Sequence, residues 1–102
     1  MAVLYITEYA TVAIMQAGRV VQAPMEPPLA EQTVAIGGSS ASSAAFNTKT
    51  TFVELHCDAI CSVSFGTAPT ASATNRRMAA NQTTDRGVPM GAGFKVAVIT
   101  NS

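Results

Sequence analysis

FVELHCDAICSVSFG, residues Phe52 to Gly66, decides the fold class. Apolar residues take every second position on both sides of Asp58-Ala59-Ile60. That is the period of a half-buried strand, not of a helix. Val53, Leu55 and Cys57 share one face of the first run, and Phe52, Glu54 and His56 share the other. Cys61, Val63 and Phe65 make a second inward row, with Ser62 and Ser64 outward. The short connection has the length of a hairpin loop, so the spacing predicts a β-hairpin that Gly66 ends.

Working outward, the same signals recur. Phe94 to Ile99 (FKVAVI) reads as a closing strand with Phe94, Val96 and Val98 on one face. Arg76 to Ala80 reads as a short strand carrying Met78 inward, and Asn81 to Arg86 as a polar segment. Thr67 to Asn75 and the turn-rich run Gly87 to Gly93 read as loops. On the N-terminal side, Gln32 to Ile36 alternates, with Val34 and Ile36 inward or their neighbours if the register slips. Gly37 to Ala45 (GGSSASSAA) reads as a flexible loop, or else as a strand of small residues packed on a neighbouring subunit. Ala2 to Thr7 suits a first strand or an extended arm. Glu8 to Gln16 fits helix or strand equally. Arg19 to Ala23 suits a short strand, and Pro24, Pro27 and Pro28 then leave an extended connector. Many short strands between turns predict an all-β fold: a small antiparallel β-sandwich, jelly-roll-like, with an extended N-terminal arm. The chain of 102 residues is read as one domain, with residues 1–31 as arm and Pro-rich connector and 32–102 as the sandwich body.

Composition narrows the function classes. Charged residues are 12% of the chain and the formal net charge is zero, about half the usual charged share. No basic patch marks a nucleic-acid partner, and no apolar run approaches the roughly 20 residues of a membrane span. A neutral, charge-poor surface solubilises a free monomer poorly, which points to cover by other subunits. MAVLYITEYA has no basic residue before its apolar part and reads as a poor signal peptide. Reduced thiols are therefore expected at Cys57 and Cys61.

Candidate chemistry is sparse. His56, the one histidine, neighbours Cys57, but adjacent strand residues point to opposite faces and make no nucleophile–base pair. Cys57, Cys61 and His56 lack the second ligand pair of a structural zinc site. The two thiols face each other across the predicted hairpin, so a disulfide fits the geometry; two small buried core residues is the preferred reading. Asp58 suits a hydrogen bond to its own turn backbone. Thr51 to Glu54 matches a capping box, and Asn81-Gln82-Thr83 a glycosylation sequon; both are read as chance. Gly91-Ala92-Gly93 lacks the helix a phosphate loop needs. The expectation is no enzyme, no cofactor and no metal. Arg76-Arg77 is the strongest local charge, read as a solvated pair or as an anchor to an acidic partner surface.

LYITEYA (Leu4 to Ala10), PPLAEQTV (Pro27 to Val34), FVELHCDAICSVSFGTAPTASATNRRMAANQT (Phe52 to Thr83) and GVPMGAGFKVAVI (Gly87 to Ile99) together resemble a family. It is that of capsid decoration, or cement, proteins of tailed bacteriophages. The resemblance covers most of the chain, least over Gly37 to Lys49. It departs at Thr84-Asp85-Arg86, where an aromatic is expected. It implies a structural virion protein on the capsid exterior, made in the bacterial host cytoplasm, that clamps the major capsid protein. Homo-dimers or homo-trimers are expected with it. The same sandwich also suits a tail or fibre adaptor. Contacts are expected from the arm (Val3, Leu4, Tyr5, Ile6), the connector (Met25, Pro27, Pro28, Leu29), and Arg76 and Arg77.

Overall fold

The computed structural model describes residues 2–14 and 20–101. Ten strands are present: β1 (Val3–Tyr9), β2 (Val12–Ile14), β3 (Val20–Pro24), β4 (Ala30–Ala35), β5 (Ala41–Ser42), β6 (Phe52–Cys57), β7 (Cys61–Gly66), β8 (Arg76–Met78), β9 (Thr83–Gly87) and β10 (Lys95–Thr100). Eight of them form two antiparallel four-stranded sheets, in the orders β4-β1-β6-β9 and β5-β10-β7-β8. The two sheets pack face to face as a β-sandwich. β2 and β3 pair separately as a short ribbon with a register irregularity. From β4 onward the connections follow a jelly roll, and β1 takes the central place that its eighth strand would hold.

The core forms where the alternating rows of the two sheets meet. Leu4, Ile6, Val53, Leu55 and Cys57 face Cys61, Val63, Met78, Val96 and Val98. Val34, Ile36 and Phe46 extend the same cluster, so the β4 register puts Val34 and Ile36 inward. Phe94 packs against it, in line with Val96 and Val98.

Four expectations are corrected by this arrangement. β6 and β7 are not a hairpin: β6 pairs with β1 and β9, while β7 pairs with β10 and β8. Asp58 to Ile60 instead arches from one sheet to the other. Alternation specifies which face is buried, and two inward rows are satisfied equally by neighbouring strands or by strands facing each other. At the arch Asp58 acts through its backbone, donating its N–H to Val3 O at 3.2 Å, while its side chain is exposed. Second, Val3–Tyr9 is no arm but a strand flanked on both sides, so it belongs to the body with residues 32–102. Third, Gly37 to Ala45 is the expected loop except at Ala41–Ser42, which pair with Ala97 and Val98 of this chain's own β10. Fourth, within Asn81 to Arg86 lies most of β9, an edge strand. The ambiguous Glu8 to Gln16 resolves into the end of β1 and into β2, with residues 15–16 outside the described set. Arg19 also lies outside it, next to β3.

Loops finish the outer surfaces. Thr67 to Asn75 crosses the outside of the second sheet. Ala71 N donates to Ser40 Oγ at 2.8 Å, and Asn101 Nδ2 donates to Ser62 Oγ at 2.6 Å and Ala73 O at 3.1 Å. Ser62 and Ala97 face outward yet are fully buried, because small side chains let this loop approach closely. On the other sheet, Val12, Ala23 and Pro24 lie over Phe52, which stacks on Tyr9 at 5.3 Å between ring centroids.

Candidate functional site: the arginine seam

A sandwich has two long open sides, where its edge strands face each other. On the β4–β5 side the seam is closed by polar pairing. Glu8 comes from the inward row of β1 and is 1% exposed. Its carboxylate accepts from Asn47 N at 2.7 Å, Thr50 Oγ1 at 2.9 Å and Gln32 Nε2 at 3.2 Å. Gln32 also bridges the sheets: its Nε2 donates to Ala44 O at 3.3 Å and its Oε1 accepts from Ala44 N at 2.9 Å. Ser43 N donates to Val96 O at 2.8 Å, and Ser43 Oγ accepts from Val96 N at 3.0 Å. A buried carboxylate demands this many donors, and here it has them.

The β8–β9 side is built differently. Pairing with Val53 and Leu55 sets Arg86 and Thr84 on the inward face of β9. Pairing with Val63 sets Arg76 on the inward face of β8, and pairing with Ser62 sets Arg77 outward. Two arginines from facing sheets therefore meet one slot of about 210 Å³, lined by Val63, Ser64, Phe65, Arg76, Arg86 and Gly87. Arg86 donates from Nη1 to Asp85 O at 3.2 Å, but its Nε is buried with no hydrogen-bond partner. Among the described residues neither Arg76 nor Arg86 meets a carboxylate, and Asp85 points to the opposite face of β9. The Ala79–Gln82 turn joins β8 to β9, and in it Asn81 takes the left-handed conformation (φ 61°) that asparagine tolerates. There Asn81 N donates to Cys57 O at 2.8 Å and Cys57 Sγ donates to Ala79 O at 3.0 Å.

The carboxylates gather elsewhere. Glu54 and Asp85 are cross-strand partners on the outer face of the first sheet, and burial, with the charges of Asp85 and Glu26, raises the Glu54 pKa. Tyr9 donates to Glu26 Oε2 at 2.8 Å; burial and that bond hold its phenol well above the ordinary range. On the same face His56 Nδ1 lies 2.8 Å from Thr83 Oγ1, and its ring sits 6.2 Å from that of Tyr5. Cys57 is on the opposite face of β6, as alternation requires. Both thiols are free and buried; burial, then the neighbouring Cys57, push Cys61 up to about 12.

The residues expected to make contacts are scattered. Leu4 and Ile6 are 0% and 1% exposed and serve the core, so they have no surface to offer; β1 has a neighbour on each side and its inward face is covered. Val3 is half-buried at the arch, and Tyr5 is 45% exposed on the outer face. Met25, Pro27 and Leu29 are exposed and Pro28 is half-buried. This connector is held beside the far end of β1 through Leu29 N to Glu8 O at 2.7 Å. Arg76 and Arg77 are exposed on β8, in the other sheet. Arg86 was not among the candidates. Its signal was the β-branched pair Thr83-Thr84 leading into Asp85-Arg86, too polar to mark a strand by hydrophobicity.

No known family model matches the chain, nor does any curated protein or solved structure.

Proposed function

We propose that this protein is a structural clamp of a phage head, a capsid decoration protein that binds neighbouring major capsid subunits from outside. The sequence resemblance supplies the class of partner. The observation that carries the reading is the pairing of a closed, internally satisfied body with one seam whose Arg76 and Arg86 meet no carboxylate of this chain among the described residues. A rigid sandwich has little to lose in conformational entropy on docking, and guanidinium groups are common anchors at protein interfaces. A clamp stabilises a shell by mass action, because it binds the assembled lattice and not dispersed subunits.

Electron microscopy of the particles tests this. Density for this chain on the icosahedral lattice is the expected result; density confined to the portal vertex or tail refutes it. Particles lacking the protein should also release DNA at lower temperature than complete ones.

A further inference from the structure

We propose that the β8–β9 slot is a carboxylate-binding site, occupied by an acidic side chain on an extended segment of a partner protein. The inference takes the slot as the docking surface, as the proposed function does, but does not require that partner to be a capsid subunit.

The argument starts from what the slot lacks. A buried nitrogen of a charged group is costly without a hydrogen-bond partner, and Arg86 Nε has none. That nitrogen is itself out of solvent's reach, so an incoming carboxylate meets the rest of the half-buried guanidinium, which carries the same charge. Arg76 reaches the same slot from the facing sheet, so two positive charges converge where Val63 and Phe65 supply apolar walls. Less water between opposite charges strengthens their attraction.

Size selects among anions. Sites for drug-sized molecules and cofactors measure about 300–1,000 Å³, and this slot is about 210 Å³. It fits one side chain or a small anion. The flanking backbone favours the side chain. β9 pairs with β6 on one side and β8 with β7 on one side, which leaves both strands as sheet edges. The outer groups of an edge strand are a template for a further strand. A segment laid along β9 would present alternate side chains to the slot, and the acid among them would meet Arg86 and Arg76. Gly87 leaves that rim without a side chain.

The test uses the full chain and a fluorescein-labelled hexapeptide of alternating valine and glutamate, titrated by anisotropy, with the valine–glutamine analogue as control. The glutamate peptide should bind, weaken with added salt, and lose about tenfold or more in affinity in Arg86→Gln and in Arg76→Gln, the size of one charge-assisted bond. Circular dichroism checks each variant; if Arg86→Gln fails to fold, Arg76→Gln, at an exposed position, carries the test. No binding of the glutamate peptide, equal binding of the glutamine peptide, or undiminished binding by Arg76→Gln overturns the proposal. So does displacement of the peptide by inorganic phosphate or succinate at the peptide's own concentration, which would mark a small-anion site. Peptide binding by a protein absent from the capsid lattice would keep this inference and remove the proposed function. Lattice density with no peptide binding would do the reverse.

Discussion

Along the β4–β5 side, one buried carboxylate meets three donors, and a glutamine amide joins the two sheets through both of its polar atoms. Along the β8–β9 side, a guanidinium keeps a buried nitrogen without a partner. Both sides put a charged residue on the inward face, at Glu8 and at Arg86. They differ in what the chain supplies around it. Gln32 of β4 and Asn47 and Thr50 of the β5–β6 loop come to Glu8 from two separate segments, whereas among the described residues nothing acidic is brought to Arg86. A polar group satisfied on all sides adds rigidity, and one left incomplete is a place where a partner can add binding energy. Inward charges on edge strands also deter unwanted strand pairing, and Arg86 lies inward on such a strand.

The comparison breaks most readily at Glu8. Glu8→Ala leaves Asn47 N and Thr50 Oγ1 without their acceptor, while Gln32 Nε2 keeps Ala44 O, and should cost about 2–4 kcal/mol, from buried polar groups at roughly 1–3 kcal/mol each with partial relaxation. Urea unfolding measures it, and a loss below 1 kcal/mol would mean the closed side contributes little. Gln32→Ala removes the bridge to Ala44 and should cost about 1–2 kcal/mol, seen as a fall in Tm of several degrees. The open side should respond in the opposite sense. Arg86→Leu replaces an unsatisfied buried nitrogen with apolar contact to Val63 and Phe65, and should be neutral or stabilising by up to about 1 kcal/mol. Destabilisation comparable to Glu8→Ala would erase the distinction between the two sides.

The last two effects are smaller. Glu54 has its pKa raised in the folded state, so ionising it opposes folding. Its unfavourable contribution is present at neutral pH and is relieved as pH falls through the raised pKa. Glu54→Gln should therefore stabilise by a few tenths of a kcal/mol at pH 7, within the roughly 0.2–1 kcal/mol of a cross-strand like-charge pair, and the gain should vanish in acid. Reducing agent should leave Tm unchanged, since Cys57 and Cys61 are free thiols; a marked drop would show them bridged.

What the sequence made legible follows from what alternation encodes. The inward rows of Phe52–Cys57, Cys61–Gly66 and Lys95–Thr100 announce strands and the face each buries, hence an all-β sandwich. Alternation carries no information on which sheet a strand joins, so the arch at Asp58 to Ile60 was legible only as a turn. It also fails where both faces are polar, which hid β9 and with it Arg86. Glu8 was hidden for a related reason: a carboxylate between Thr7 and Tyr9 reads as surface until its donors arrive from residues 32, 47 and 50. Of the slot, Arg76 was visible as charge beside Met78, and its facing partner was not.

The first and last strands of the sandwich are not at its margins. β1 runs between β4 and β6, and β10 between β5 and β7. The first sheet is not continuous without β1, nor the second without β10, so the sandwich is complete only when the last strand is in place. The structure should form in one cooperative step, limited by contacts between distant parts of the chain. Chain ends ordinarily fray first; here the slowest hydrogen exchange should be found in β1 and β10, with the faster exchange in β8 and β9 beside the slot.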